Sequence, residues 1–271
     1  MVTQPDRPAG RGHKLTPTPV KAAAVALGLS VFEPTALRAF SAELTGLDAD
    51  IVVVASYGRI LPQAILDLPK SGIAFNVHPS LLPLYRGATP LQSAIRDGRS
   101  ETGVTVMAMD AGMDTGDILL QERTSLQADE TYGMLHDRLA QLGAELLIAA
   151  LDTFSLGTLE RVPQSSRGIV VGEIERTLTR PLGKDDMLID WSLPPQRIVD
   201  TVRSLAPAPA ARALLGGEIL KVLEARVARA DEHGTTADGG LVEAGVVLVR
   251  VVPPNRGAMP GAAYARAKAS V

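Results

Sequence analysis

The sequence predicts an α/β protein in which a mostly parallel sheet is followed by a small β domain. Three observations lead there. Apolar, β-branched runs alternate with helical stretches through the first 154 residues, and a long helical period fills residues 130–154. After about residue 188 that alternation gives way to β-rich runs at 219–227 and 246–252, separated by glycines. Strands that alternate with helices imply parallel pairing, because a parallel crossover takes a dozen or more residues and is usually a helix. Short β-rich runs broken by glycines suit a small barrel.

The elements follow in order. Residues 1–21 hold four prolines and two glycines and read as a loop, since proline has no N–H for a helix interior or a central strand. Gly10 and Gly12 lack the third glycine and the preceding strand of a dinucleotide fingerprint. A helix is expected over 20–29, a short apolar run over 29–32 and a second helix over 37–47. Asp50-Ile-Val-Val-Val-Ala-Ser56 is continuously apolar in its middle, which predicts a parallel strand buried on both faces. A helix over 61–68 leads to a strand over 73–78 that must stop before Pro79. Thr89-Pro90 supplies a capping hydroxyl and a first-turn proline for a helix closed by Gly98. A strand over 104–109, a turn over 110–117 rich in glycine and carboxylates, and a returning strand over 118–122 come next. Leu135, Leu139, Leu142, Leu146 and Ala150 recur at helical spacing through 130–154. Periodicity then fades over 160–184, so the expected division is an α/β domain over 1–162, a linker over 163–188 and a β domain over 189–271. A helix is expected over 194–205, at the start of that last part.

Composition narrows the chemistry. With 271 residues, 46% of them apolar, the chain can bury a sizeable core. It has no cysteine, and its four histidines lack ligand spacing, so disulfides and thiolate metal sites are excluded and no metal is expected. No apolar run reaches the roughly 20 residues of a membrane span, and the start has no signal-peptide core, so a soluble, cytoplasmic, membrane-free protein is expected. A monomer is the separate expectation for its assembly. The net charge of −3 hides basic ends. Arg7, Arg11, Lys14 and Lys21 stand against Asp6 alone, and after Glu243 come Arg250, Arg256, Arg266 and Lys268 with no acid. Such ends suit phosphates, or are simply solvated charges.

The stretch from Phe75 to Gly87, F-N-V-H-P-S-L-L-P-L-Y-R-G, carries the most chemistry. Strand side chains alternate faces, so Asn76 and His78 point to one side, at the carboxyl end of a strand where open α/β sheets bind ligands. An amide donor beside a titratable ring suits acyl transfer to an amine, with Asp114 in the glycine-rich turn to orient and charge the ring. Asp110 and Asp117 compete with Asp114 for that part, and any of the three can be a turn former. Arg86 suits a substrate anion or a surface salt bridge equally. The absence of a G-x-S-x-G elbow and of a cysteine nucleophile agrees with direct attack by the amine.

These residues resemble a known family. N-V-H-P-S-L-L-P-L-Y-R-G (76–87), E-T-G-V-T-V-M (101–107) and A-G-M-D-T-G-D-I-L (111–119) are similar to the folate-dependent formyltransferases. T-Q-P-D-R-P-A-G-R-G (3–12) and K-D-D-M-L-I-D-W-S (184–192) resemble the branch that acts on methionyl-tRNA. The resemblance implies a Rossmann-like sheet followed by an OB-like C-terminal barrel that binds tRNA. It implies Asn76, His78 and Asp114 as catalytic residues and Ser80, Leu81, Leu82 and Pro83 as the tetrahydrofolate-binding segment. It further implies 10-formyltetrahydrofolate as co-substrate, initiator methionyl-tRNA as partner, and Arg7, Arg11 and Lys14 on a tRNA-gripping loop. Family members carry about thirty more residues before the position of Met1, so the first, central strand of the Rossmann-like order is expected to be missing, leaving its neighbours unpaired. Two alternatives compete: a sibling formyltransferase acting on a sugar nucleotide or glycinamide ribonucleotide, and an inactive RNA-binding fragment.

Overall fold

In the computed structural model, which describes residues 1–9 and 14–269, the chain divides into two compact units. One comprises Met1–Val77 and Met107–Asp117, the other His78–Val106 and Ile118–Val271.

The first unit opens on a hairpin, β1 (Arg7–Ala9) and β2 (Lys14–Thr16), paired antiparallel with Pro8 opposite Leu15. The proline-rich start is therefore not all loop. A two-stranded ribbon has free edges, where a residue without an N–H costs no ladder bond. The Thr18 hydroxyl accepts from Lys21 N at 3.1 Å and Pro19 takes the first turn, so α1 (Pro19–Ala26) begins there. Next come α2 (Leu37–Thr45), β3 (Val52–Ala55), α3 (Gln63–Leu66) and β4 (Ala74–His78). Strand β3 pairs parallel with β4, from Val52 opposite Ala74 to Ala55 opposite Val77. The expectation that this β-branched run is buried on both faces is corrected: burial alternates along β3, and Val53 is 44% exposed. Among the described residues β3 stands first in the sheet order β3-β4-β5-β6, with β4 as its strand neighbour.

The strand covered on both faces is β5 (Glu101–Ala108), buried from Thr102 to Ala108. In the second unit α4 (Pro90–Arg96) precedes β5, and β6 (Ile118–Ser125) leads into α5 (Tyr132–Ser155). The Thr131 hydroxyl caps α5 by accepting from Met134 N, and Leu135, Leu139, Gly143 and Ala150 form its buried stripe. Thr89 does not cap α4 as expected, because its hydroxyl donates to Arg180 O at 3.0 Å instead. The faded segment 160–184 is ordered through tertiary contacts, with 3₁₀ turns at Gln164–Arg167 and Asp185–Met187 flanking α6 (Val171–Arg176).

Helix α7 (Pro195–Leu205) then enters the β region. There β7 (Ala211–Leu215), β8 (Glu218–Val227), β9 (Leu241–Glu243), β10 (Val246–Val252) and β11 (Met259–Pro260) form one antiparallel sheet before α8 (Gly261–Ala269). The strand order β11-β10-β8-β7, with β9 also on β10, makes a curled half-barrel. A bulge in β10 near Leu248 and Arg250 adds local twist. Its inner face is filled by α7 through Ile198, Val202 and Leu205, packed against Ala213, Leu220, Val222 and Leu248. The opposite side of α7 carries a buried ion pair, Arg203 Nε to Asp200 Oδ1 at 2.9 Å. The rest of that guanidinium donates to Glu130 O at 3.2 Å and Ile95 O at 3.4 Å, tying α7 to the end of α4 and the start of α5.

Candidate active site

Strand β4 delivers Asn76 and His78 to one face, two residues apart, and Pro79 ends the strand. Asn76 is half-buried, opposite Val54 of β3. His78 is 4% exposed, and its Nε2–H donates to the backbone carbonyl of Tyr85 at 2.9 Å. A carbonyl only accepts, so this hydrogen bond requires a hydrogen on Nε2.

Tyr85 is held from several directions. Its φ of 59° lies in the left-handed region, at a cost of about 1–2 kcal/mol for a residue with a Cβ. Its N–H donates to Thr177 Oγ1 at 3.4 Å, its hydroxyl donates to Asp97 Oδ2 at 2.8 Å, and Arg99 Nε donates to that hydroxyl at 2.7 Å. Arg99 also lies over the ring, 5.6 Å from its centre, and reaches Glu173 Oε1 at 3.1 Å. Burial pushes the Tyr85 phenol up to about 12, with Asp97 adding to the rise and Arg99 opposing it. The phenol therefore stays protonated and keeps donating to Asp97.

The segment that follows His78 is anchored from beneath. Ser80 is fully buried, and its hydroxyl donates to Leu84 O at 2.7 Å. Thr105 of β5 donates to Ser80 O at 2.7 Å and accepts from Leu82 N at 3.2 Å, while Gln121 of β6 donates to Leu82 O at 3.1 Å. Leu82 and Pro83 are buried and Leu81 is half-buried. Gly103 lies close against β6 and Leu81: a Cβ there would fall 2.1 Å from Glu122 O and 2.5 Å from Leu81 Cδ2. Arg86 donates from both Nε and Nη2 to Gln164 Oε1, at 3.1 and 2.7 Å.

In the first unit, the turn 110–117 separates its carboxylates by role. Asp110 accepts from Gly112 N at 3.0 Å and from Thr115 Oγ1 at 2.7 Å, which makes it the turn former. Gly116 is required, because a Cβ there would lie 1.9 Å from Ala108 O. Asp114 is half-buried with φ 54°, a left-handed conformation that aspartate tolerates better than most residues. Asn76 and Asp114 thus belong to the first unit, and His78 and residues 80–83 to the second. Arg7 and Lys14 lie on the β1–β2 hairpin, where Lys14 is exposed and Arg7 Nη2 donates to Gln4 Oε1 at 3.4 Å. Arg11 lies outside the described residues. Among the described residues no group of acids and histidines is arranged to hold a metal ion, and no helix is long and apolar enough to cross a membrane.

Sequence reasoning missed the brace formed by Gln164, Glu173, Thr177 and Thr179. These contact Arg86, Arg99, Tyr85 and Gly87 across 74 to 93 residues of chain, so no local spacing announces them.

Comparison with known proteins adds to this geometry. A family described as formyl transferase matches residues 1–151, and a formyl transferase C-terminal domain matches residues 181–267. The chain is 45% identical over 251 residues to a methionyl-tRNA formyltransferase of Chromohalobacter salexigens, covering 92% of this chain and 75% of that protein. To one of Pseudomonas fluorescens it is 46% identical over 252 residues, covering 90% and 77%. Among solved structures, HypX of Aquifex aeolicus in complex with tetrahydrofolic acid is similar at a TM-score of 0.64 and 18% identity, covering 87% of this chain and 42% of that one. At that identity the likeness speaks to the fold alone. Matched in both halves and closely related over nine-tenths of its length, the chain belongs to the formyl transferase family, in its methionyl-tRNA formyltransferase branch.

Proposed function

We propose that this chain transfers the formyl group of 10-formyltetrahydrofolate to the α-amine of methionyl initiator tRNA. The observation that carries the reading is Asn76 and His78 on one face at the carboxyl end of β4, in a chain 45% identical to a methionyl-tRNA formyltransferase. In this reading the free amine attacks the formyl carbon and its oxygen becomes negative. The Asn76 amide and the His78 imidazolium donate to that oxygen. The carboxylate of Asp114 favours the charged ring and takes the proton lost by the amine. Collapse breaks the bond to the folate nitrogen, which takes a proton from the charged His78 ring while the ring regains one from Asp114, so no covalent enzyme intermediate forms.

Residues 80–83 form the folate-binding segment, in keeping with the anchoring of Ser80 and Leu82 by β5 and β6. Arg7, Arg11 and Lys14 contact tRNA phosphates. The chain works as a cytoplasmic monomer without a metal, with a catalytic domain over 1–162, a connecting segment over 163–188 and a tRNA-binding β domain over 189–271. The test is formyl transfer from 10-formyltetrahydrofolate to methionyl initiator tRNA, with an amino-sugar nucleotide as competing acceptor. Transfer to the tRNA alone is expected; transfer to the sugar alone would assign the chain to the sibling activity, and transfer to neither would remove the enzymatic reading.

A further inference from the structure

The contacts around Tyr85 carry a step beyond that reading, and they rest on its placing His78 at the reacting centre. We propose that Tyr85 is a positioning residue whose backbone carbonyl keeps a hydrogen on Nε2 of His78, so that Nδ1 is the ring nitrogen that gains and loses a proton during formyl transfer. Three observations converge on it. The acceptor at Nε2 is a backbone carbonyl, which cannot reverse its role as a hydroxyl or a water can. The ring is 4% exposed, so no bulk solvent competes for that nitrogen. The residue supplying the carbonyl is locked in a left-handed conformation by bonds at its N–H and its hydroxyl.

That lock comes largely from the connecting segment. Thr177 Oγ1 takes the Tyr85 N–H, and the same hydroxyl is oriented by carbonyls of α6, Glu173 O at 3.0 Å and Ile174 O at 3.1 Å. Glu173 in turn holds Arg99, whose Nε meets the Tyr85 hydroxyl. A single loop residue is thus pinned through its N–H and its side chain, which leaves its carbonyl one direction to point.

The experiment uses the full chain with nitrogen-15-labelled histidine and reads two quantities. Ring nitrogen shifts of His78, at a pH where the ring is neutral, give the tautomer, and formyl-transfer kinetics give kcat and KM. The wild-type ring is expected to carry its hydrogen on Nε2. Thr177→Val and Tyr85→Phe each loosen the carbonyl and are expected to mix the tautomers and lower kcat roughly ten- to hundredfold, with KM for both substrates unchanged. Thr177→Ser, which keeps the hydroxyl, should restore both readouts. A wild-type ring with its hydrogen on Nδ1, or variants that leave tautomer and kcat untouched, would overturn the proposal. An Nε2–H ring in a wild-type chain without formyl transfer would sink the functional reading while supporting the positioning of the ring.

Discussion

Gly87 and Thr179 meet backbone to backbone, with Thr179 N donating to Arg86 O at 2.8 Å and a notional Cβ on Gly87 falling 2.1 Å from Thr179 O. Gly87 also sits at φ +104°, outside the range that residues with a side chain adopt easily. Gly87→Ala must therefore strain the backbone and push the 164–180 segment away from the loop. The expected loss of stability is about 2–4 kcal/mol, combining left-handed strain with overpacking. A urea unfolding midpoint unchanged from wild type would show that this contact yields without cost.

The buried pair of Asp200 and Arg203 should behave asymmetrically. Asp200→Ala leaves the Arg203 guanidinium, 10% exposed, without its carboxylate and should cost about 3–5 kcal/mol. Replacing both with apolar residues, as in Asp200→Leu with Arg203→Met, should recover part of that loss, since no charge is left buried. Comparing the two unfolding midpoints checks it, and equal losses would mean that Arg203 matters mainly through its bonds to Glu130 O and Ile95 O.

The proposed chemistry makes its own demand. His78→Ala and Asp114→Asn should each lower kcat by about 10²- to 10⁴-fold, while tRNA affinity stays within twofold of wild type. Asp110→Asn serves as the contrast, because Asp110 is engaged within the turn by Gly112 and Thr115, and it should show itself first in stability. Equal turnover in His78→Ala and wild type would remove His78 from the reaction.

If Arg7, Arg11 and Lys14 neutralise phosphates, removing each should weaken tRNA binding and flatten its dependence on salt. Each lost contact is expected to reduce the log–log slope by about 0.7–0.9. Binding titrations of the three alanine variants at several salt concentrations measure this directly. A slope that does not move returns that residue to ordinary solvation.

Acid should act at Asp186. Arg180 first, then the backbone N–H of Gly183, holds its carboxyl down at about 2. The unfolded group titrates at about 3.9, so as pH falls the unfolded chain takes up its proton first. The stabilisation is complete above that ordinary value and is lost as pH drops from about 4 toward 2. Asp186→Asn should remove this part of the acid sensitivity, giving a shallower fall of the thermal midpoint over that window. Parallel curves for variant and wild type would show that the ion pair contributes nothing.

What the sequence determined by itself was whatever lies within a few residues of chain. Alternation on β4 sends Asn76 and His78 to one face, Thr18 and Pro19 start α1, and helical spacing locates Leu135, Leu139 and Ala150 on the buried stripe of α5, where Gly143 is buried and Leu142 and Leu146 are half-buried. These follow from bonds and periodicities that close within one turn or one strand. The tertiary structure decided what distant segments do to one another. It left Val53 half-covered on a strand that reads as buried, because the burial of a β-branched run is settled by its neighbours and not by its own pattern. It drew Thr89 away from capping α4, gave Arg86 to Gln164, and turned the faded stretch 164–180 into a brace for Tyr85. Polar groups buried on folding must find partners wherever the chain has brought them, here some 74 to 93 residues away, and that requirement is invisible to any local window.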